Sequence, residues 1–231
     1  MANSNNVLHH VGVIMDGNRR WARNRGLPTL EGHTKGAWNL FYLCDWCIKR
    51  GIDEITVYVF STYNWNRTQE EIDGLFGLVE RIFREKIRDC VQKGIHINLM
   101  GDITKLPPSL QSVLYLFRDE TRDCNKVILN IAINYGGRED IIQAVKAYYS
   151  SGKDVRQISM DNIQDYLYCK SNVDLVIRSG RYKRLSNFMI WQAACAELYF
   201  TETLWPDFTE ENFQDAVDYY YNTTINNGKC P

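Results

Sequence analysis

Short apolar segments recur along the chain, and amphipathic stretches separate them. Six of these segments are unbroken apolar runs rich in β-branched residues, at 11–15, 55–60, 95–100, 127–133, 175–177 and 198–200. A strand covered on both faces has such a continuous run, whereas a half-exposed strand alternates apolar and polar residues. The pattern therefore predicts six buried strands.

Most of the intervening segments show the spacing of helices. Residues 33–50 carry apolar side chains at the repeat of one helix face, and Gly51 follows as a C-terminal stop signal. The longer segment 70–93 has the same kind of apolar side. Three shorter helices are predicted at 107–122, 139–150 and 160–169. Strands that alternate with helices predict an α/β fold with a mainly parallel six-stranded sheet, flanked by helices.

The whole chain is assigned to one domain. Its 231 residues are 45% hydrophobic and 13% aromatic, which is enough for a sizeable buried core. No internal repeat, low-complexity tract or Pro/Gly-rich linker divides it, so the domain spans 1–231. We expect the two ends, 1–8 and 222–231, to be flexible.

The charge and hydropathy of the chain limit the classes of function that it can have. The formal net charge of -1 argues against a nucleic-acid binder. Basic residues cluster instead at 19–25 and 178–184, which suits a small anionic ligand, although each cluster alone also fits a solvated surface. The sequence contains no run of about 18 apolar residues, so it predicts no membrane span.

The first residues and the cysteines bear on the cellular compartment. The first residues lack the apolar core of a signal peptide. Cys44 and Cys47 form a C-x-x-C, but no second pair follows at zinc spacing, so we expect them to line a buried helix face. Seven cysteines without regular spacing indicate the cytoplasm.

Three predicted strands end in polar segments suited to phosphate. These segments are DGNRR after Met15, STYNWNR from residue 61, and RSGRYKR from residue 178. In open α/β sheets, ligands bind beyond the carboxyl ends of the strands. Guanidinium groups match phosphate oxygens in bidentate geometry. The three loops together therefore predict one shared anionic site.

Asp16 is unexpected in a loop that attracts phosphate, because a carboxylate repels it. The conflict is resolved if Asp16 holds Mg²⁺, which binds through one or two carboxylates together with substrate phosphates. The alternative role for Asp16 is a helix N-cap. Glu197, a lone acid in an apolar run, is the second candidate for the same metal, and an ion pair at the sheet edge is its alternative.

Several segments, all in the same order along the chain, resemble the cis-prenyltransferase family, which includes undecaprenyl and dehydrodolichyl diphosphate synthases. They are HVGVIMDGNRRWA at 10–22, EGH at 31–33, TVYVFSTYNWNR at 56–67, LNIAINYGGREDI at 129–141, DLVIR at 174–178 with RLSNF at 184–188, and AELYFTETLWPDF at 196–208. The resemblance runs from about residue 10 to residue 213.

The resemblance implies a reaction and an architecture. Members of the family add isopentenyl diphosphate to an allylic diphosphate, form a Z double bond and release diphosphate with the help of Mg²⁺. The family fold is a parallel sheet flanked by helices, with an apolar tunnel. Its members are homodimers or related heterodimers, and the homodimer is favoured here because the C-terminus lacks the R-x-G ending of the heteromeric partners. Membrane contact would be at most peripheral, through the product.

The resemblance also implies a role for each matching residue. Asp16, Asn64 and Ser61 are the catalytic residues, and Glu71 matches an acid in the mobile region that closes over substrate. The residues implied to bind the allylic diphosphate are Gly17, Asn18, Arg19, Arg20, His33 and Arg67. Those implied to bind the isopentenyl diphosphate are Arg178, Arg184 and Ser186, and those implied to bind the metal are Asp16 and Glu197. The tunnel is implied to be lined by Phe60, Trp65 and Val59, although Trp65 equally suits a role in pinning its loop.

Four positions depart from the family pattern. Thr29 stands where many bacterial members have an arginine, Tyr63 replaces an acid, and Arg181 and Tyr182 replace a Gly-Glu pair. Three functions stay open: regular chain extension, irregular head-to-middle coupling of dimethylallyl units as in lavandulyl-type relatives, and a non-catalytic partner subunit. The presence of Asp16 weighs against the last.

Val59 bears on the product. Many medium-chain members have a smaller alanine at this position. A larger side chain at the tunnel floor shortens the tunnel, so we expect a short or medium product.

Overall fold

The computed structural model describes residues 7–223. Six strands form one parallel sheet in the order β3-β4-β2-β1-β5-β6. They are β1 His10–Ile14, β2 Glu54–Ser61, β3 Ile95–Met100, β4 Val127–Tyr135, β5 Leu175–Arg178 and β6 Glu197–Phe200. All six predicted strands are present, and the α/β prediction with a parallel six-stranded sheet is confirmed.

Seven α-helices surround the sheet within the described range. They are α1 Asn18–Arg23, α2 Thr29–Arg50, α3 Gln69–Lys93, α4 Pro108–Glu120, α5 Gly137–Ser150, α6 Met160–Ile163 and α7 Glu210–Asn222. Gly51 and Gly94 end α2 and α3 in the left-handed conformation, as stop signals do. None of the described helices is both long enough and apolar enough to pass through a lipid bilayer.

The helix predicted at 160–169 is wrong in length. A capping box between Ser159 and Asn162 begins α6, but the helix ends at Ile163 and a 3₁₀ turn follows. The backbone N–H of Tyr168 donates to the Asp140 carboxylate at 3.1 Å. This tertiary contact takes the chain out of the helical path, which the apolar spacing alone does not reveal.

Apolar side chains cover both faces of the sheet. The larger core cluster joins α2, α3, α4 and α7 to one face, and a second cluster around Phe188 and Met189 lies against the other. This double cover explains the unbroken apolar runs of the strands. Cys44 and Cys47 are buried in the larger cluster, as expected, and burial raises the pKa of the Cys44 thiol.

The ends of the chain were expected to be flexible at 1–8 and 222–231. Residues 1–6 and 224–231 lie outside the described residues. Of the other positions in these two ranges, Leu8 is buried in the core and Asn222 is the last residue of α7.

Candidate active site

A cavity of about 910 Å³ opens at the carboxyl ends of β1, β2 and β5 and runs between α2 and α3. Its inner part is apolar and its mouth is polar, so the tunnel expected from the resemblance is present. The apolar lining includes Ala37, Leu40, Phe41, Val59, Leu75, Leu78, Val79, Ile82 and Phe83. The polar lining includes Asp16, Asn18, Arg19, Arg20, Arg23, His33, Ser61, Asn64, Arg67, Arg178 and Ser186.

Gly17 turns the first loop at the mouth of the cavity. Its φ of 115° is in the region that favours glycine, and a Cβ at this position would lie 2.9 Å from the Leu204 side chain. The turn places Asp16 next to Arg20, whose Nη2 donates to Asp16 Oδ1 at 3.2 Å and to the carbonyl of Gly180 at 2.7 Å. Arg20 therefore ties the first loop to the loop after β5.

Arg178 is the most deeply buried cation of the site. Its side chain is 5% exposed, and its Nη2 donates to Asp16 Oδ2 at 3.0 Å. Its Nη1 donates to Ser186 Oγ at 2.7 Å and to the carbonyl oxygen of Arg184. The Nε–H has no partner among the described residues although it is buried. A buried donor without an acceptor is costly, so this N–H suits an anionic ligand.

Asp16 thus lies between two arginines from the two ends of the site. Ser179, which the sequence did not single out, donates its hydroxyl to the Asp16 carbonyl at 2.8 Å and fixes the backbone there. The only signal for Ser179 was its place directly after the Arg that ends β5. The first and third loops therefore converge on Asp16, as the sequence predicted for the ends of these strands.

The middle loop is held by its own side chains. Ser61 and Asn64 form a capping box around a short 3₁₀ turn, and the Ser61 N–H donates to Asn64 Oδ1 at 3.0 Å. Both residues line the cavity, as does Arg67 at the end of the turn. The predicted catalytic pair is therefore present at the cavity mouth, next to the arginines.

Phe60 and Trp65 do not form the tunnel wall, so that prediction is wrong for both. The pairing of β2 with β4 shifts between Tyr58 and Ser61, and such a bulge re-aims side chains. Phe60 packs on Trp65 and Phe76, with ring centroids 5.2 and 4.9 Å away, instead of lining the cavity. Trp65 also donates to Asn134 Oδ1 at 2.8 Å, which pins the loop. Val59 does line the cavity, as expected.

Glu197 is not near Asp16. It is the first residue of β6 and pairs with Leu175, which pairs with Val11 of β1. Val11 lies three residues, roughly 10 Å, before the end of β1 at Ile14, and Asp16 lies beyond that end. Within one chain the two carboxylates therefore cannot share an ion, and the prediction of Glu197 as a second metal ligand is wrong for this arrangement.

Arg184 and Glu71 lie at the rim. Arg184 is exposed, and its guanidinium carbon lies 4.3 Å from the centroid of the Tyr182 ring. Glu71, in the first turn of α3, forms an ion pair with Arg19 of α1 at 3.1 Å. This ion pair joins α1 to α3 across the opening, at the place where the resemblance implies a closing region.

His33 lies on α2 beside two of these cations. Burial, followed by the charges of Arg67 and Arg19, lowers the pKa of His33 to about 4. The imidazole is therefore neutral near pH 7, with one N–H to donate and one nitrogen to accept. A neutral donor adds hydrogen bonding to an anion site without adding to the repulsion among the arginines.

This lowered pKa makes stability depend on pH. The unfolded chain takes up a proton at His33 near pH 6.5, and the folded chain does so only near pH 4, so stability falls as the pH drops through this window. We predict that the free-energy advantage of the wild type over His33→Gln shrinks by on the order of 1 kcal/mol between pH 7 and pH 5. Urea unfolding of both proteins at the two pH values measures it, and His10 cancels in the difference. A constant difference would contradict the prediction.

The comparisons with known proteins identify the family of the chain. Residues 14–228 match the family described as putative undecaprenyl diphosphate synthase. The chain belongs to this cis-prenyltransferase family. It is 42% identical to the isoprenyl transferase of Aquifex aeolicus, over 91% of each chain. It is 44% identical to the (2Z,6Z)-farnesyl diphosphate synthase CPT6 of Solanum lycopersicum, over 93% of this chain and 77% of the relative.

A solved structure of the same family is also similar. The structure of lavandulyl diphosphate synthase from Lavandula x intermedia in complex with dimethylallyl diphosphate matches with a TM-score of 0.88 at 32% identity, over 93% of this chain and 95% of that one. The family therefore includes relatives named for different products, and membership alone identifies a prenyltransferase without its product.

Proposed function

We propose that this chain condenses isopentenyl diphosphate with an allylic diphosphate, forms a Z double bond and releases a short- or medium-chain product with diphosphate. One observation carries the proposal. Arg20 and Arg178 meet on Asp16 at the polar mouth of a cavity whose inner part is apolar. Such a cavity suits substrates with a diphosphate at one end and a hydrocarbon chain at the other.

The loop after β1 and the loop after β5 each provide residues for one of the two diphosphates. The allylic diphosphate is assigned to residues 17–20 with His33 and Arg67, and its hydrocarbon follows the cavity between α2 and α3. The isopentenyl diphosphate is assigned to Arg178, Arg184 and Ser186. The unpartnered Nε–H of Arg178 supports this second assignment.

The residues of the chain favour departure of the allylic diphosphate. As the allylic C–O bond breaks, negative charge accumulates on the departing group, and fixed arginine donors stabilise that charge most when it has fully developed. The apolar wall excludes water from the allylic carbon, which becomes electron-poor. Asn64 and Ser61, held together by their capping box, lie at the mouth where the two substrates meet.

The residues at the mouth fit Mg²⁺. Asp16 offers a carboxylate that is 27% exposed, and Mg²⁺ typically takes one or two carboxylates together with substrate phosphates. We therefore assign Mg²⁺ to Asp16 and the substrate diphosphate. When bound, the ion supplies positive charge that stabilises the departing diphosphate.

Product length gives a test of the cavity. Phe83 lines its apolar part, and Phe117 packs on Phe83 with ring centroids 5.2 Å apart but is outside the lining. We predict that Phe83→Leu lengthens the main product by at least one isoprene unit, because the smaller side chain leaves space in the cavity for a longer hydrocarbon. Phe117→Leu is the matched control, with a similar loss of core packing and no change in length. Chromatographic sizing of the dephosphorylated products measures both, and equal product lengths in the two variants would contradict the prediction.

The proposed reaction is tested with purified protein, Mg²⁺, labelled isopentenyl diphosphate and a series of allylic diphosphates of increasing length. We expect release of diphosphate and a labelled product with a new Z double bond, and a main product well below many tens of carbons. No release of diphosphate with any allylic partner would contradict the proposed condensation, and tight binding without turnover would indicate a partner subunit.

Irregular coupling is the second candidate. The replacement of a Gly-Glu pair by Arg181 and Tyr182 changes the loop that we assign to isopentenyl diphosphate, and the similarity to lavandulyl diphosphate synthase supports a change in coupling. Consumption of dimethylallyl diphosphate supplied alone would favour this candidate. No consumption, together with product formation when isopentenyl diphosphate is added, would favour regular extension.

We also propose that the enzyme is a cytoplasmic homodimer whose membrane contact is at most peripheral, through the product, with no role for nucleic acid. Five of the six cysteines in the described part of the chain have free thiols, which supports a reducing compartment, and they are Cys44, Cys47, Cys90, Cys124 and Cys169. Light scattering of the purified protein tests the dimer, and a mass of one chain would contradict it.

A further inference from the structure

The ring of Tyr182 lies close to four arginines, Arg20, Arg178, Arg181 and Arg184. The guanidinium carbon of Arg184 lies 4.3 Å from the ring centroid, and that of Arg20 lies 4.9 Å away. Arg178 and Arg181 follow at 5.8 and 5.9 Å. These cations come from α1, from the end of β5 and from the loop after it, so one side chain lies close to arginines from both of the loops that meet at Asp16.

The backbone of the loop directs Tyr182 to this place. Gly180 and Arg181 have φ values of 80° and 65°, two left-handed residues in succession, and the N–H of Tyr182 donates to the Gly180 carbonyl at 2.9 Å. A Cβ on Gly180 would lie 2.6 Å from Arg20 Nη2, so glycine is needed for this close approach. The tight turn brings the ring into the lining of the cavity mouth.

The charges around the ring are unbalanced. Arg20 and Arg178 share the single carboxylate of Asp16. Arg181 and Arg184 form no ion pair with any residue between 7 and 223. An aromatic face attracts guanidinium groups through its quadrupole while carrying no charge of its own. The ring therefore holds the arginines in place without repelling an incoming diphosphate, as a carboxylate would.

We propose that Tyr182 is a positioning residue and a determinant of how the second diphosphate binds. It holds Arg184 and Arg20, donors assigned to different diphosphates, against one ring and so pre-organises both. Donors that are already ordered lose less conformational entropy when the anion binds. The proposal rests on the proposed function, because it assigns diphosphates to these arginines.

Calorimetric titration with inorganic pyrophosphate tests the role of the ring. We expect Tyr182→Phe, which keeps the ring, to bind within about threefold of the wild type. Tyr182→Leu should weaken binding about tenfold, which corresponds to about 1.4 kcal/mol. Tyr149→Leu removes an exposed phenol from α5, outside the cavity lining, and should leave binding unchanged. Thermal unfolding of each variant checks that the fold is retained.

A second variant tests the charge argument. Tyr182→Glu places a carboxylate among the same arginines, so pyrophosphate should bind at least tenfold more weakly than to the wild type without Mg²⁺, and the deficit should shrink as Mg²⁺ is added. Wild-type affinity of this variant without Mg²⁺ would overturn the proposal. So would wild-type affinity of Tyr182→Leu, or an equal loss in Tyr182→Phe, which would assign the effect to the phenol oxygen.

A turnover assay distinguishes a failure of the positioning role of Tyr182 from a failure of the proposed condensation. If the wild type makes product while Tyr182→Leu binds pyrophosphate normally, only the positioning role is overturned. If binding depends on the ring but no allylic partner yields a product, the proposed condensation fails and the positioning role is retained.

Discussion

Replacement of Asp16 by asparagine lowers turnover by about two to three orders of magnitude and leaves the fold in place. Asparagine has nearly the same size, so packing at the end of β1 is kept. The change removes the negative charge that faces both Arg20 and Arg178 at 3.2 and 3.0 Å and that is assigned to Mg²⁺. Loss of one pre-organised electrostatic group costs about 10²–10³ in turnover in other enzymes.

Turnover at saturating substrates, compared with the circular dichroism spectrum, measures the effect of Asp16→Asn. Asp53→Asn is the matched control. Asp53 is also an aspartate next to a β-strand, and its Oδ2 lies 2.7 Å from Nδ1 of His9, but Asp53 is exposed and lies at the amino end of the sheet. Turnover near the wild-type value in Asp16→Asn would remove the assigned role of this carboxylate.

Replacement of Arg178 by lysine should raise the KM for isopentenyl diphosphate by about 10- to 100-fold. The guanidinium uses two nitrogens for Ser186 and Asp16 and leaves a third, Nε, unpartnered in the protein. A single ammonium cannot reproduce this fork. Each hydrogen bond to a charged group contributes about 1.5–3 kcal/mol, so the loss of one or two accounts for the expected change.

The measurement is the dependence of rate on isopentenyl diphosphate with the allylic substrate saturating. Arg156→Lys is the control, because Arg156 forms its ion pair with Asp154 on the surface at 2.7 Å, away from the cavity. An unchanged KM in Arg178→Lys would show that the second diphosphate binds elsewhere.

Much of this site could be predicted from the sequence because of one property of parallel sheets. Strands that end in polar segments bring those segments to the same edge, so Asp16 and Arg178, 162 residues apart, meet at 3.0 Å. The continuous apolar runs identified the strands because both faces of the sheet are covered. The resemblance then gave roles to residues such as Ser61 and Asn64, whose side chains the structure brings together.

Most of the errors share a physical cause, since they depend on strand register and on tertiary contacts. Glu197 begins β6 and therefore lies at the amino end of the parallel sheet, away from Asp16, a separation that its place before the apolar run already indicated. Phe60 leaves the cavity lining because β2 is irregular next to β4. The contact between Asp140 and Tyr168 that shortens α6 joins positions 28 residues apart. The positioning role of Tyr182 could not be predicted from the sequence either, because it depends on the distances between its ring and arginines from separate segments.

The most direct test is a crystal structure with isopentenyl diphosphate, Mg²⁺ and an unreactive thio-analogue of an allylic diphosphate. We predict two diphosphate groups side by side, one on residues 17–20 and the other on Arg178 and Ser186, with the allylic hydrocarbon between α2 and α3. A single bound diphosphate, or two that lie away from Asp16, would contradict the account.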